Sequence, residues 1–198
     1  GNPGHVSIQT RRGYGVLVGL CKDTQEQWHG PGTGYQNVAA VFWRYQFSSQ
    51  ASFDAHSGLP YATLIDVGEG GLKNGRTGGP LDGMPNHMGK FTLWNYHHTG
   101  SAISNYDFWR SNPTQRDRFL NPIIVGFHGS SSTFNAAHLE VYESQGSAVT
   151  PESLFEAQLT RRLGALPAWI PQAKTDWDDI QNGSTSVGSD WRLIGDDE

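Results

Sequence analysis

The sequence is short of several features that would narrow its function quickly. One cysteine, Cys21, stands among 198 residues, so neither an internal disulfide nor a cysteine-based metal site can form. A lone thiol reads as a small buried hydrophobe and leaves the compartment open. No apolar run approaches the roughly 18 residues that a membrane-spanning helix needs. The 14 Lys and Arg residues form no block and are outnumbered by 19 Asp and Glu. Phosphate binding needs a concentrated basic footprint, so nucleic acid is not an expected partner. No signal peptide opens the chain, and Gly1 reads as a trimmed or engineered start. No helical pattern connects the apolar runs, which argues against a doubly wound α/β fold.

Glycine and aromatic residues are abundant, with 25 glycines and an aromatic share of 12% that includes seven tryptophans. Glycines scattered without a collagen period imply many turns and many short strands. Six strand-like runs follow, Val16–Leu20, Val38–Phe47, Tyr61–Val67, Phe91–Tyr96, Ile123–His128 and Leu139–Glu143. Most of the steps between their starts are near or within the repeat length typical of solenoids. The pattern predicts an all-β solenoid, a β-helix with one strand per coil, over residues 1–149. A β-sandwich is the competing fold, although its turn signals come closer together.

Strict alternation puts Trp43, Tyr45 and Phe47 on one strand face, and Trp94 and Tyr96 on the corresponding face of a later one. Stacked coils would merge these into one aromatic strip. Asn95 fits a corner where amides stack. Thr150-Pro151-Glu152 followed by Leu154, Phe155, Leu159 and Leu163 predicts a capping helix ending at Gly164. That helix and a packed segment fill 150–170. Residues 171–198 read as an acidic tail anchored at Trp177, Ile180 and Trp191.

The runs HGPG (29–32), WRYQF (43–47), FDAHSGLPYATLID (53–66), GGLKNGRTGG (70–79), MPNH (84–87), LWNY (93–96), PIIVGFHG (122–129) and PESLFEAQLTRRLG (151–164) resemble the large pectate-lyase-like β-helix proteins of polysaccharide-degrading microbes. The resemblance covers roughly residues 5–170. It implies a right-handed parallel β-helix, a secreted or cell-surface setting and a polysaccharide substrate. It also implies that the chain is a C-terminal portion, with upstream coils of the same or another chain as its neighbour. β-Helices host lyases, hydrolases and binding proteins alike, so the reaction stays open.

The densest candidate chemistry is Asp54-Ala55-His56-Ser57 with Tyr61 and Asp66 close behind. No elbow glycines surround Ser57, which leaves a serine triad unsupported. β-Elimination on a uronate needs a cation to neutralise the carboxylate, a base for the adjacent proton and an acid for the leaving oxygen. Arg44 is the candidate neutraliser, His56 the base, and Tyr61 or Tyr45 the acid, with Asp54 orienting the imidazole. Lys73 and Arg76 are reserve cations, and Trp43, Tyr45, Asp66, Trp94 and Tyr96 complete the substrate-binding set. A glycoside hydrolase would pair Asp54 with Asp66, keeping Asp82 and Glu69 in reserve. A non-catalytic carbohydrate-binding end, or a trimeric fibre piece, would need no converging titratable groups. The plain structural alternative is that Asp, His and Ser are ordinary turn residues here.

No cofactor is demanded by these residues. Calcium, held by carboxylates and carbonyls, is the cation a lyase would use. Adjacent His97 and His98 point to opposite faces and cannot chelate together. His87, His128 and His138 lack zinc spacing. Asp176, Asp178 and Asp179 lack the glycine and closing glutamate of a calcium loop.

Overall fold

The computed structural model describes residues 4–79, 81–109 and 117–183. Contacts divide the chain into two compact units, Gly1–Phe155 and Glu156–Glu198. In the first, the strands are β1 (Gly4–Arg11), β2 (Leu17–Gly19), β3 (Gln27–Gly34), β4 (Val41–Trp43), β5 (Asp54–Ala55), β6 (Leu64–Asp66) and β7 (Glu69–Gly70). They continue as β8 (Thr92–Trp94), β9 (His97–His98), β10 (Ile103–Tyr106), β11 (Ile123–Val125), β12 (His128–Gly129), β13 (Ser132–Phe134) and β14 (Val141–Glu143). Four separate sheets result, ordered β1-β3-β5, β10-β13, β14-β11-β8-β6-β4-β2 and β12-β9-β7. Every pairing between these strands is parallel.

The six-stranded sheet shows why short strands suffice. Its middle rung aligns Val18, Phe42, Ile65, Leu93, Ile124 and Tyr142. Phe42, Ile65, Leu93 and Ile124 lie fully in the core, with Val18 and Tyr142 packed against it. Each such buried side chain contributes about 1.5–3 kcal/mol. The remaining core is aromatic. Phe53, Phe91 and Phe119 meet at centroid distances of 5.0–6.4 Å, and Tyr96 stacks on Phe127 at 5.3 Å.

A left-handed residue closes each of these strands, at Leu20, Arg44, Val67, Asn95, Gly126 and Ser144. Another stands two positions before five of them, at Gly15, Ala39, Ala62, Lys90 and Asn121. Each turns the chain sharply and resets which way the next side chain points. Trp43 and Tyr45 therefore diverge, as do Trp94 and Tyr96. Tyr45, Phe47 and Tyr96 enter the core, while Trp43 is buried elsewhere, 5.8 Å from Phe155. The continuous aromatic strip does not form.

The all-β, right-handed parallel β-helix is corrected by these findings. The architecture is mixed α/β, with four mostly parallel sheets and two helices, and no closed solenoid is delineated among the described residues. The corners limit most strands to two or three residues and interrupt the ladders, so the three smaller sheets each cover only part of the stack. Parallel pairing equally removes the antiparallel sandwich.

Helix α1 (Leu154–Leu163) starts four residues after the expected cap at Thr150. Its end is as expected, with Gly164 left-handed and donating to the Thr160 carbonyl at 2.9 Å. The second unit holds α2 (Trp169–Gln181), where a packed segment and tail were expected. Ile170, Ala173, Trp177 and Ile180 keep helical spacing, and Pro171 sits in the first turn, where its missing N–H costs nothing. Trp191 lies outside the described residues.

Candidate functional site

β1, β3 and β5 run side by side, and their register places Gln9, Gly32 and Asp54 on one rung. Asp54 alternates with Phe53 and Ala55, both core residues, so its carboxylate points away from the core. It is nonetheless almost fully buried. Asp54 Oδ2 lies 3.0 Å from His56 Nδ1 and accepts from Gln9 Nε2 at 3.3 Å. Gly32 lies between the two partners of the second contact. A Cβ there would lie 3.1 Å from the Asp54 carbonyl oxygen, 3.3 Å from Asp54 Cβ and 3.6 Å from Gln9 Cγ, crowding Asp54. The His56 side chain keeps a quarter of its surface exposed while Asp54 exposes none. With Asp54 accepting at Nδ1, the proton sits on that nitrogen and Nε2 is the basic one.

Two rungs further along, Arg11 aligns with Gly34, beyond which lies His56, whose Cβ is 3.3 Å from the position a Gly34 Cβ would take. The guanidinium of Arg11 lies over the Tyr35 ring, 4.8 Å from its centre, and its Nε donates to Gln9 Oε1 at 2.6 Å. Arg11, Arg12 and Tyr35 line an open cleft of about 360 Å³. A continuous chain thus runs from Tyr35 through Arg11, Gln9 and Asp54 to His56. Two strand spacings, roughly 10 Å, separate Arg11 from His56, and between them Gly34 carries no side chain.

The far side of Asp54 is also polar. Ala55 N–H donates to the Thr77 carbonyl at 2.8 Å, which brings Arg76 beside β5. Arg76 stacks on Trp28 at 3.5 Å from the ring centre. His29, next to Trp28, has Asp54, His5 and His56 among its electrostatic neighbours. Burial pulls the His29 pKa below its ordinary value, against the opposing pull of Asp54. Lys73 turns to Gln50 Oε1 at 2.5 Å, and Arg76 also donates to the Gln50 carbonyl at 3.2 Å.

The other candidates do not join this site. Arg44, the expected neutraliser, pairs with Glu152 Oε2 at 2.6 Å. Asp66 is fully buried and accepts from the backbone N–H of Leu154 at 2.8 Å and of Phe155 at 3.3 Å, with Ser153 Oγ as a third donor. It caps α1 from another strand, the work expected of Thr150. Burial pushes its pKa up to about 6, against these three hydrogen bonds and the Arg44 charge. The hydrolase pair of Asp54 and Asp66 is thereby divided between two structural settings. Trp43, Tyr45 and Tyr96 are buried and offer no face to a sugar. Trp94 Nε1 donates to the Pro151 carbonyl at 2.9 Å. Asn95 is a corner residue, yet instead of laddering it bonds the Val149 and Glu152 carbonyls at 2.9 and 2.8 Å. Tyr61 is exposed, on a rung with Val38 and Tyr14.

Among the described residues no group of three His, Cys, Asp or Glu side chains could hold a metal ion, so calcium has no carboxylate set there. No helix among them is long and apolar enough to cross a membrane. His97 and His98 do face opposite ways. His97 stacks on His128 at 5.2 Å and lies 3.1 Å from Glu69, while His98 is buried against Ser132 at 3.0 Å.

Gln9, Arg11, Arg12, Trp28, His29 and Tyr35 were missed as site residues. The usable signal was spacing. Gln9, Gly32 and Asp54 stand one repeat apart in succession, matching the step already read from the apolar runs, and QTRR opens two repeats before Asp54.

A family model described as a domain of unknown function (DUF4955) matches residues 26–173, and the chain belongs to that family. No curated protein and no solved structure matches the chain.

Proposed function

We propose that this DUF4955 member binds an acidic, uronate-containing polysaccharide in the Arg11–Tyr35 cleft and cleaves it by β-elimination, working outside the cell. The observation carrying this reading is one side-chain relay that joins a cationic, aromatic cleft to a carboxylate-oriented histidine. Arg11 and Arg12 take the role first given to Arg44. Their guanidinium groups pair with the uronate carboxylate and so acidify the neighbouring C–H. His56 Nε2 accepts that proton, while Asp54 fixes the ring and stabilises the imidazolium that forms. The electron pair left on carbon becomes the new C=C bond as the C–O bond to the leaving sugar breaks. The departing oxygen takes a proton from the Tyr35 hydroxyl, which the Arg11 stack holds at the cleft. Among the described residues the cleft is lined by two arginines and a tyrosine, with no carboxylate to partner Asp54, which favours elimination over hydrolysis.

Incubation with carboxylated polysaccharides, followed by ultraviolet absorbance of the conjugated unsaturated uronate, tests the proposal. The expected result is a rise with one polyuronate that His56→Gln reduces by about a thousandfold or more. Binding without any rise would reduce the site to a carbohydrate-binding one. An unchanged rate in His56→Gln would remove His56 from the chemistry.

A further inference from the structure

The relay accounts for one end of the β1–β3–β5 surface, but the other end carries the same pairing of groups. Trp28 is 46% exposed and Tyr35 39% exposed. Each ring carries an arginine on its face, Arg76 at 3.5 Å and Arg11 at 4.8 Å from the ring centre. A domain with nothing to bind gains little by exposing two large aromatic rings on one strand and its exit. Nor are these rings filling space in the core, since neither belongs to the core cluster. Stacking an arginine on a ring orients the guanidinium so that its edge is left to donate, and the pair can meet a sugar face and a carboxylate together.

Their placement relative to Asp54 and His56 is fixed by register. Gly34, the residue before Tyr35, adjoins His56. Arg76 precedes Thr77, which receives the Ala55 N–H on the far side of β5, and His29, the residue after Trp28, has Asp54 among its electrostatic neighbours. The run of β3 from Trp28 to Gly34 spans roughly 20 Å of extended chain. That is the length of several sugar residues, far more than one uronate requires.

We infer that the site grips the interior of a polyuronate chain, with Trp28–Arg76 and Tyr35–Arg11 as two platforms flanking the Asp54–His56 pair. The cleavage this implies is endolytic, producing oligomers from mid-chain rather than single units from an end. The inference rests on the proposed reading of the site and adds the substrate's size and placement to it.

The test is affinity of the full chain for polyuronate oligomers of increasing length, measured by calorimetry beside an uncharged glucan and a sulfated polysaccharide. Affinity is expected to climb with length until both platforms are spanned, with no binding of the glucan. Trp28→Ala should weaken the long oligomers about tenfold or more and flatten the rise of affinity with length. Trp28→Phe should restore most of the loss, and an unaltered unfolding midpoint in both variants excludes a folding artefact. Length-independent affinity, or equal weakening at every length, would overturn the two-platform arrangement while leaving the catalytic reading intact. Failure of every polyuronate to bind wild type would overturn both, and preference for the sulfated polymer would replace the uronate as the bound unit.

Discussion

Asp66 offers the sharpest quantitative test, because the two roles available to it predict different things. As a sugar-binding or hydrolytic carboxylate, its removal would leave stability alone. The structure instead buries it completely and points three donors at it, the backbone N–H groups of Leu154 and Phe155 and the hydroxyl of Ser153. Losing those bonds in Asp66→Ala costs about 3–6 kcal/mol gross, at roughly 1–2 kcal/mol for each donor left without an acceptor. Against this stands the cost of holding a charge there. Raising the carboxyl from 3.8 to about 6 corresponds to about 3 kcal/mol at neutral pH. The net expectation for Asp66→Ala at pH 7 is a loss of about 0–3 kcal/mol, the difference between these opposing contributions. The sign of the pH dependence is more telling than the size. The folded-state pKa is raised, so the folded protein takes up a proton around pH 6 while the unfolded chain does so only near pH 4. Wild type is thereby stabilised, relative to the variant, by about 1.3 kcal/mol on going from pH 7 to pH 5. Asp66→Ala should therefore cost more at pH 5 than at pH 7, as read from urea unfolding of both proteins in each buffer. A cost at both values no larger than that of an ordinary surface substitution, or one that shrinks on acidification, would refute the reasoning.

Two further measurements bear on the fold and on the bare strand beside the site. His87 is fully buried between Phe91 and Phe119, and burial lowers its pKa to about 3; only the unfolded chain takes up its proton below about 6.5, so it should remove about 2 kcal/mol of stability between pH 7 and pH 5, a slope that His87→Gln should abolish in urea titrations. A Cβ on Gly71 would fall 2.3 and 2.4 Å from the Ser49 and Ala51 carbonyl oxygens, whereas one on Gly34 would stand 3.3 Å from His56 Cβ; Gly71→Ala should cost about 1–3 kcal/mol in the same assay, and Gly34→Ala well under that while lowering turnover.

The repeat was legible in the sequence, and the sheet faces were not. Expected strand starts at 16, 38, 61, 91, 123 and 139 lie within three residues of the six strands that pair in one sheet. Apolar clusters such as Leu64-Ile65 and Ile123-Ile124 announce themselves, because a buried rung needs them. The faces failed because alternation assumes an unbroken strand, and nothing in WRYQF signals that Arg44 adopts φ 53°. Non-glycine residues hold that conformation only where tertiary contacts outweigh its cost of about 1–2 kcal/mol. For Arg44 the ion pair with Glu152, far along the chain, is one such contact, and no local pattern could reveal it. The fold class failed for a related reason: the corners that make the repeat also cut the smaller ladders short. α2 was hidden by its own polarity, since Asp176, Asp178 and Asp179 masked a spacing that Ile170, Trp177 and Ile180 keep.

The site was half legible, and the missing half explains what the found half is for. Asp54 and His56 were recognisable because they are two apart, a local relation that survives whatever fold surrounds it. Their counterparts are one and two repeats upstream, in a segment passed over because GHVSIQTR alternates weakly and ends in charge. Taken alone, a histidine held by a buried aspartate is a common structural motif. The bare glycines of β3 change that reading. A strand built only for packing gains from filling Gly32 and Gly34, yet here Gln9 bonds Asp54 across Gly32, and Gly34 stays bare between Arg11 and His56. Backbone bareness there has a conformational entropy cost, and under the proposed function the return for that cost is access for a substrate between Arg11 and His56.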